Sequence, residues 1–122
     1  MKKNILVIDD DKDFPKIVEA ALDPETYEVT TATDGVLGLE ALKKSTPDII
    51  LLDMRMPNMD GIQFLMQMRT LHPDKMIPII VTTNDASIEK ISESVAFGIR
   101  SYIVKSNEST EGIKHAIEAA LK

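Results

Sequence analysis

Asp53 closes the apolar run Ile49-Ile50-Leu51-Leu52 and is followed at once by Met54-Arg55-Met56-Pro57 and Asn58-Met59-Asp60-Gly61. A carboxylate at the end of a greasy strand, entering a loop, keeps one face open to ligands. Desolvating an ionised carboxylate costs several kcal/mol unless something pairs with it, so the chain has to supply a cation. A second acidic group, Asp9-Asp10-Asp11, follows the apolar run that starts at Ile5. If the two runs are neighbouring strands, at least three carboxylates converge, and an oxygen-preferring divalent cation such as Mg²⁺ (or Mn²⁺) relieves their repulsion. Two further apolar runs end in Thr82-Thr83 and in Lys105. An ammonium can pair with Asp53 and with a phosphoryl oxygen while a threonine hydroxyl bonds another. The set suits phosphoryl transfer to a carboxylate, in which the protein mainly positions groups and neutralises charge.

Five short apolar runs carry these residues: Ile5–Ile8, Tyr27–Thr31, Ile49–Leu52, Ile77–Val81 and Tyr102–Val104. Four are nearly continuous in Val, Ile and Leu, as strands buried on both faces of a parallel sheet read. The second alternates polar and apolar residues and is expected at a sheet edge. Between the runs lie helical patterns. Phe14, Ile17, Val18, Ala21 and Leu22 mark one face of the first, and Ile113, Ala116, Ile117, Ala120 and Leu121 one face of the last. Pro15 falls in a first turn, where it is tolerated. Thr46-Pro47 and His72-Pro73 stop the second and third helices, and Asp60 with Gln63 three residues on forms a capping pair. Strict strand–helix alternation with short connections implies right-handed crossovers and a doubly wound α/β sheet of order 2-1-3-4-5. Ligands bind such sheets beyond the carboxyl ends of the strands, where the order reverses. Here that point lies between strands one and three.

At 122 residues the chain is expected to be one domain over 1–122. Its formal charge of −6 argues against non-specific binding to nucleic acid or anionic lipid, which needs clustered Lys and Arg. The absence of cysteine excludes disulfides and thiolate chemistry. No apolar run is long enough for a signal-peptide core or a membrane span, so the cytoplasm is the expected compartment. Asp9, Asp11 and Asp13 begin a calcium-loop spacing, but Phe14 and Ala20 stand where that loop needs glycine and glutamate. Met54, Met56 and Met59 are expected to pack the loop after Asp53, and His72 and His115 to be exposed.

Taken in order, these segments resemble the receiver domain of two-component response regulators, the family of the single-domain chemotaxis regulator. Ile5-Leu6-Val7-Ile8-Asp9-Asp10-Asp11 is similar to its first strand and acidic pair. Asp48 through Gly61 is similar to its phosphoacceptor strand and loop, Pro78 through Thr83 to its fourth strand, and Ser101 through Lys105 to its fifth. Thr83 and Lys105 lie 30 and 52 positions after Asp53, as the family's switch hydroxyl and lysine do. The resemblance implies a flavodoxin-like (βα)5 fold in which Asp53 takes a phosphoryl group from a sensor histidine kinase, a phosphotransfer protein or a small acyl phosphate. Asp10 and Asp53 would bind Mg²⁺ directly with the carbonyl of Arg55, and Asp9 largely through water. Thr83 and Lys105 would hold the phosphoryl oxygens. Tyr102 would turn inward behind Thr83, reshaping a surface made by the fourth helical segment, the fifth strand and the last helix, where a downstream protein or output domain would dock. Such a domain is a self-catalysing switch with slow dephosphorylation rather than a turnover enzyme. A phosphorylation-independent interaction module on the same fold is the alternative.

Two positions depart from the family pattern, and two more flank the site. Ser106 stands where proline usually follows the lysine, and a cis bond there costs roughly 2.5–4 kcal/mol without proline. Either a trans bond with a shifted loop or a strained cis bond is therefore expected. Asn84 replaces a small residue after the switch threonine. Arg55 and Asp85 flank the site, where a bridging pair would slow phosphoryl loss. Ile88, Ile91 and Val95 are expected in the core.

Overall fold

The computed structural model describes residues 2–56, 58–74, 76–84, 99–106 and 108–122. In chain order these form β1 (Lys3–Ile8), α1 (Asp13–Ala21), β2 (Tyr27–Ala32), α2 (Gly35–Lys44), β3 (Ile49–Asp53), α3 (Gly61–Leu71), β4 (Ile79–Thr83), β5 (Ile99–Val104) and a C-terminal helix (Thr110–Ala120). All strand pairs are parallel, and the sheet order is β2-β1-β3-β4-β5. The expected doubly wound topology is the observed one, with β1 and β3 adjacent at the reversal.

Two apolar layers hold the sheet. One face carries Ile5, Val7, Leu51, Ile80 and Ile103 against Phe14 and Val18 of α1 and Ile113 and Ile117 of the C-terminal helix. The other carries Leu6, Ile8, Ile50, Leu52 and Ile79 against Leu42 of α2 and Phe64, Leu65 and Met68 of α3. Every residue of β3 is buried, consistent with the continuous apolar run that precedes Asp53. Each such aliphatic side chain contributes about 1.5–3 kcal/mol on burial, so the central strands carry much of the fold's apolar stabilisation.

Three helix starts follow side-chain caps, while α1 starts after Lys12 without one. Asp34 accepts from Leu37 N at α2, Ser109 from Gly112 N at the C-terminal helix, and Asp60 with Gln63 closes a reciprocal capping box on α3. Asn58 takes φ 69°, in the left-handed region that asparagine tolerates, and turns the loop after β3 back toward α3. Gly61 packs tightly there: a Cβ on it would meet Met54 Cα at 2.9 Å and Asp53 O at 3.0 Å.

Strand boundaries differ from the sequence pattern by one to three residues, most at β4 and β5. β4 begins at Ile79 rather than Ile77, because Pro78 has no N–H to give the ladder; its carbonyl accepts from Ile50 N instead. β4 then runs on through Thr83. β5 begins at Ile99 and alternates between half-buried and exposed residues up to Ile103, as the other edge of the sheet, so it is not buried on both faces as Tyr102–Val104 suggested. A register shift between Ile79 and Ile80 marks its first pairings with β4. Within α1, Ile17 is exposed although it lies on the apolar stripe, because the stripe is wider than the contact that Phe14 and Val18 make. His115 is exposed as expected, whereas His72, at the C-cap of α3, is half-buried with Nε2 enclosed. Ile88, Ile91 and Val95 lie outside the described residues.

Candidate functional site

The carboxyl ends of β1, β3, β4 and β5 place the site. Ile8 pairs with Leu52, so Asp9 and Asp53 are each the next residue on adjacent strands. Asp53 pairs with Thr82, and Thr82 with Ile103. Partners in a parallel ladder share a face, so Asp9, Asp53, Thr82 and Ile103 form a row across the sheet edge. It lies on the same face as Val7, Leu51 and Ile80, the layer under α1 and the C-terminal helix. Asp9, Asp53, Thr82 and Thr83 are all buried polar residues. Asp10, one position on from Asp9, faces solvent.

Lys105 reaches into this row from the turn beyond β5. Its backbone N donates to Thr83 O at 2.8 Å, which extends the β4–β5 ladder before the side chain leaves. Its ammonium lies 2.5 Å from Asp9 Oδ2 and 3.6 Å from Asp53 Oδ2, with the side chain only 7% exposed. The shorter contact is a close ion pair without hydrogen-bond direction. The ring centroid of Phe14 lies 5.0 Å from the same Nζ, within range for a cation–π contact. The second oxygens of the two acids bind backbone: Asp9 Oδ1 accepts from Asp11 N at 2.9 Å and Asp53 Oδ1 from Arg55 N at 3.1 Å.

Charge is therefore short at Asp53. Burial pushes its carboxyl up, the Arg55 N–H lowers it, the Asp9 charge raises it again and Lys105 lowers it. The balance is a rise from 3.8 to about 7. The nearest ammonium sits closer to Asp9 than to Asp53, which accounts for the incomplete compensation.

Carboxylate oxygens of Asp9, Asp10 and Asp53 all lie within 4.8 Å of one another. Ligand oxygens on opposite sides of a hard octahedral ion such as Mg²⁺ stand about 4 Å apart. A small closing movement with waters completing the shell is enough, so an all-oxygen, anionic set of this kind fits a divalent cation. The exposed Asp10 leaves the entry side open.

The residues singled out by type and spacing are thus largely brought together. Asp9, Asp10, Asp53 and Lys105 meet at one rim, and Thr83 lies buried at the end of β4. Arg55 touches Asp53 through its backbone while its side chain is exposed. Asn84 is exposed at the end of β4, and Tyr102 is 51% exposed on β5. Asp85 lies outside the described residues. Among those residues no peptide bond is cis, so the Lys105–Ser106 bond takes the trans alternative. Met54 is buried, and Met56 and Met59 pack against the α2–α3 layer, consistent with their reading as loop packing. Two contributors were not singled out: Phe14, which reads like any apolar stripe residue, and Thr82, overshadowed by Thr83. The pairing of Asp53 with Thr82 needs the β3–β4 register, which no single segment displays.

Known proteins are similar to this chain in sequence and fold. The family described as response regulator receiver domain matches residues 5–118. Sporulation initiation phosphotransferase F of Bacillus subtilis is 31% identical over 121 residues, covering 99% of this chain and 95% of that protein. The DNA-binding transcriptional regulator NtrC of Escherichia coli is 34% identical over 114 residues, covering 93% of this chain but 24% of the regulator. The transcriptional regulatory protein ZraR of Klebsiella oxytoca is likewise matched over only 23% of its length, so the chain spans about a quarter of such regulators. Among solved structures, the chemotaxis response regulator CheY4 of Vibrio cholerae superposes with a TM-score of 0.87 at 30% identity, covering 99% of this chain and 100% of that one.

Proposed function

Because the chain belongs to the response regulator receiver domain family of two-component signalling, we propose that it is a phosphoryl-accepting switch with Asp53 as the acceptor. The observation that carries this reading is the buried Asp53 carboxylate between Asp9 and Thr82, with the Lys105 ammonium 3.6 Å away. An oxygen of Asp53 attacks phosphorus, and the bond from phosphorus to the donor's nitrogen or oxygen breaks. The leaving group keeps that electron pair and takes a proton from solvent. Lys105 and Thr83 hold the non-bridging oxygens. Asp9, Asp10, Asp53 and the Arg55 carbonyl are the residues that would hold Mg²⁺ (or Mn²⁺). When bound, that cation neutralises charge on the acids and on the incoming phosphoryl group.

The donor is a sensor histidine kinase, a phosphotransfer protein or a small acyl phosphate. Tyr102 stands half exposed beside the β4 end, a position consistent with an inward swing once Thr83 moves toward a phosphoryl oxygen. The face made by β5, the C-terminal helix and the fourth helical segment, which lies outside the described residues, is then the docking surface for a downstream protein or output domain. Arg55, Asn84 and Asp85 set phosphoryl lifetime by controlling water access. No helix among the described residues is long and apolar enough to cross a membrane, which agrees with a cytoplasmic role.

Incubation with acetyl phosphate or phosphoramidate and Mg²⁺, read by intact mass, tests the reading. The expected result is a gain of one phosphoryl group that Asp53→Asn abolishes. No gain, or the same gain in Asp53→Asn, would overturn it in favour of a phosphorylation-independent interaction module.

A further inference from the structure

Thr82 has no role in the mechanism above, yet its environment is unusual. It is 1% exposed, and among the described residues its enclosed Oγ1 has no hydrogen-bond partner. A buried hydroxyl left unpaired costs roughly 1–3 kcal/mol, and valine would fill the same volume without that cost. The residue pairs with Asp53 on one side and with Ile103 on the other, which puts it one strand spacing, about 4.8 Å, from the acceptor. Lys105 starts two residues beyond Ile103. To bring its ammonium to Asp53 and Asp9, its side chain crosses β4 from the β5 side. Thr82 stands in the row beneath that crossing, on the same face of the sheet as Phe14.

An ammonium has three donors. Here Asp9 Oδ2 takes the closest contact and the Phe14 ring lies near the same nitrogen. A phosphoryl group on Asp53 draws the ammonium away from Asp9 and leaves it needing a replacement acceptor from the sheet side. With Asp53 as acceptor, the reading on which this rests, we propose that Thr82 is a positioning residue for Lys105. Its hydroxyl oxygen accepts a hydrogen bond from the ammonium once that group has moved from Asp9 to the phosphoryl oxygens. The unpaired hydroxyl of the resting protein is the acceptor held for that state.

The test compares the wild-type chain with Thr82→Val, Thr82→Ser, Lys105→Met and the Thr82→Val/Lys105→Met double variant. Phosphorylation by acetyl phosphate with Mg²⁺, and decay after donor removal, are followed by intact mass, with a thermal melt of each resting protein. Thr82→Val is expected to slow phosphorylation about tenfold, on the scale of one hydrogen bond to a charged group, while melting no lower than wild type. Thr82→Ser is expected to restore the rate. In the Lys105→Met background the valine substitution is expected to change nothing more, since a residue acting through Lys105 has nothing left to position. Equal rates and lifetimes for Thr82→Val and wild type would remove the role of Thr82 and leave the acceptor intact. Failure of serine to rescue, or full additivity with Lys105→Met, would also overturn it. A wild-type chain that takes no phosphoryl group at all sinks both this role and the acceptor assignment, so the two failures are told apart by the wild-type arm.

Discussion

At the scale of single residues, the site is a balance of three buried charges. The folded chain holds the Asp53 carboxyl at about 7 against 3.8 for a free aspartate. Between those values the folded state keeps a proton that the unfolded state has lost, so stability falls as pH rises through that window and the loss is complete above it. Asp53→Asn removes the group that titrates. In EDTA it is expected to be more stable than wild type at pH 8, the difference shrinking toward zero near pH 4; urea unfolding across that range measures it. Lys105 behaves in the opposite sense. Its ammonium is enclosed against Asp9 and Asp53, and breaking a buried pair from one side costs roughly 3–5 kcal/mol because the remaining charge is stranded. Relative to wild type, Lys105→Met in EDTA should lose stability of that order at pH 8 and recover only part of it at pH 5, where Asp53 is protonated but Asp9, the closer partner, still lacks its cation. Calorimetric melts showing the same loss relative to wild type at both pH values would contradict the pairing with Asp53.

At the scale of elements, the loop between β3 and α3 aims Asp53. Gly61 sits against Met54 Cα and Asp53 O, and neither is a flexible side-chain end that can move aside. Gly61→Ala must therefore shift the backbone that carries Asp53 and Arg55. It is expected to lower the phosphorylation rate more than tenfold, outweighing the roughly 1 kcal/mol that alanine gains over glycine in a helix; parallel rate and urea measurements separate the two effects. What the sequence displays follows the same division. The strands announce themselves because Ile49 to Leu52 and Ile5 to Ile8 are apolar without interruption, and Asp60 with Gln63 announces the start of α3. Their polar termini, Asp9, Asp53, Thr83 and Lys105, are legible for the same reason. β5 reads as buried because Tyr102–Val104 looks like a core run, while its exposure depends on which strand ends the sheet. Phe14 beneath Lys105 and Thr82 beside Asp53 are set by packing and register across strands far apart in sequence, so local pattern is silent about both.

For the whole molecule, the question is how a change at one rim becomes a different surface. A cation that binds only the folded chain stabilises it by RT ln(1 + [L]/Kd), about 2.7 kcal/mol at a hundredfold excess over Kd. Mg²⁺ is expected to raise the melting temperature of wild type and to do so much less in Asp53→Asn, which loses one of the three converging carboxylates. On the proposed function, the conformational readout is Tyr102. It lies 51% exposed on β5, and its register partner Val81 is fully buried one strand inward. The ring thus has an interior to turn into, provided Thr83, two residues beyond Val81, moves toward the phosphoryl group. The chain contains no tryptophan and only two tyrosines, so Tyr27→Phe leaves Tyr102 as its single intrinsic fluorophore. In that variant, acetyl phosphate with Mg²⁺ is expected to reduce quenching of the tyrosine emission by acrylamide at least twofold. Asp53→Asn added to it should abolish the change, since the new charge is what biases the two positions of the ring. Phosphorylation confirmed by mass with quenching unaltered would mean that the signal leaves the site by a route other than Tyr102.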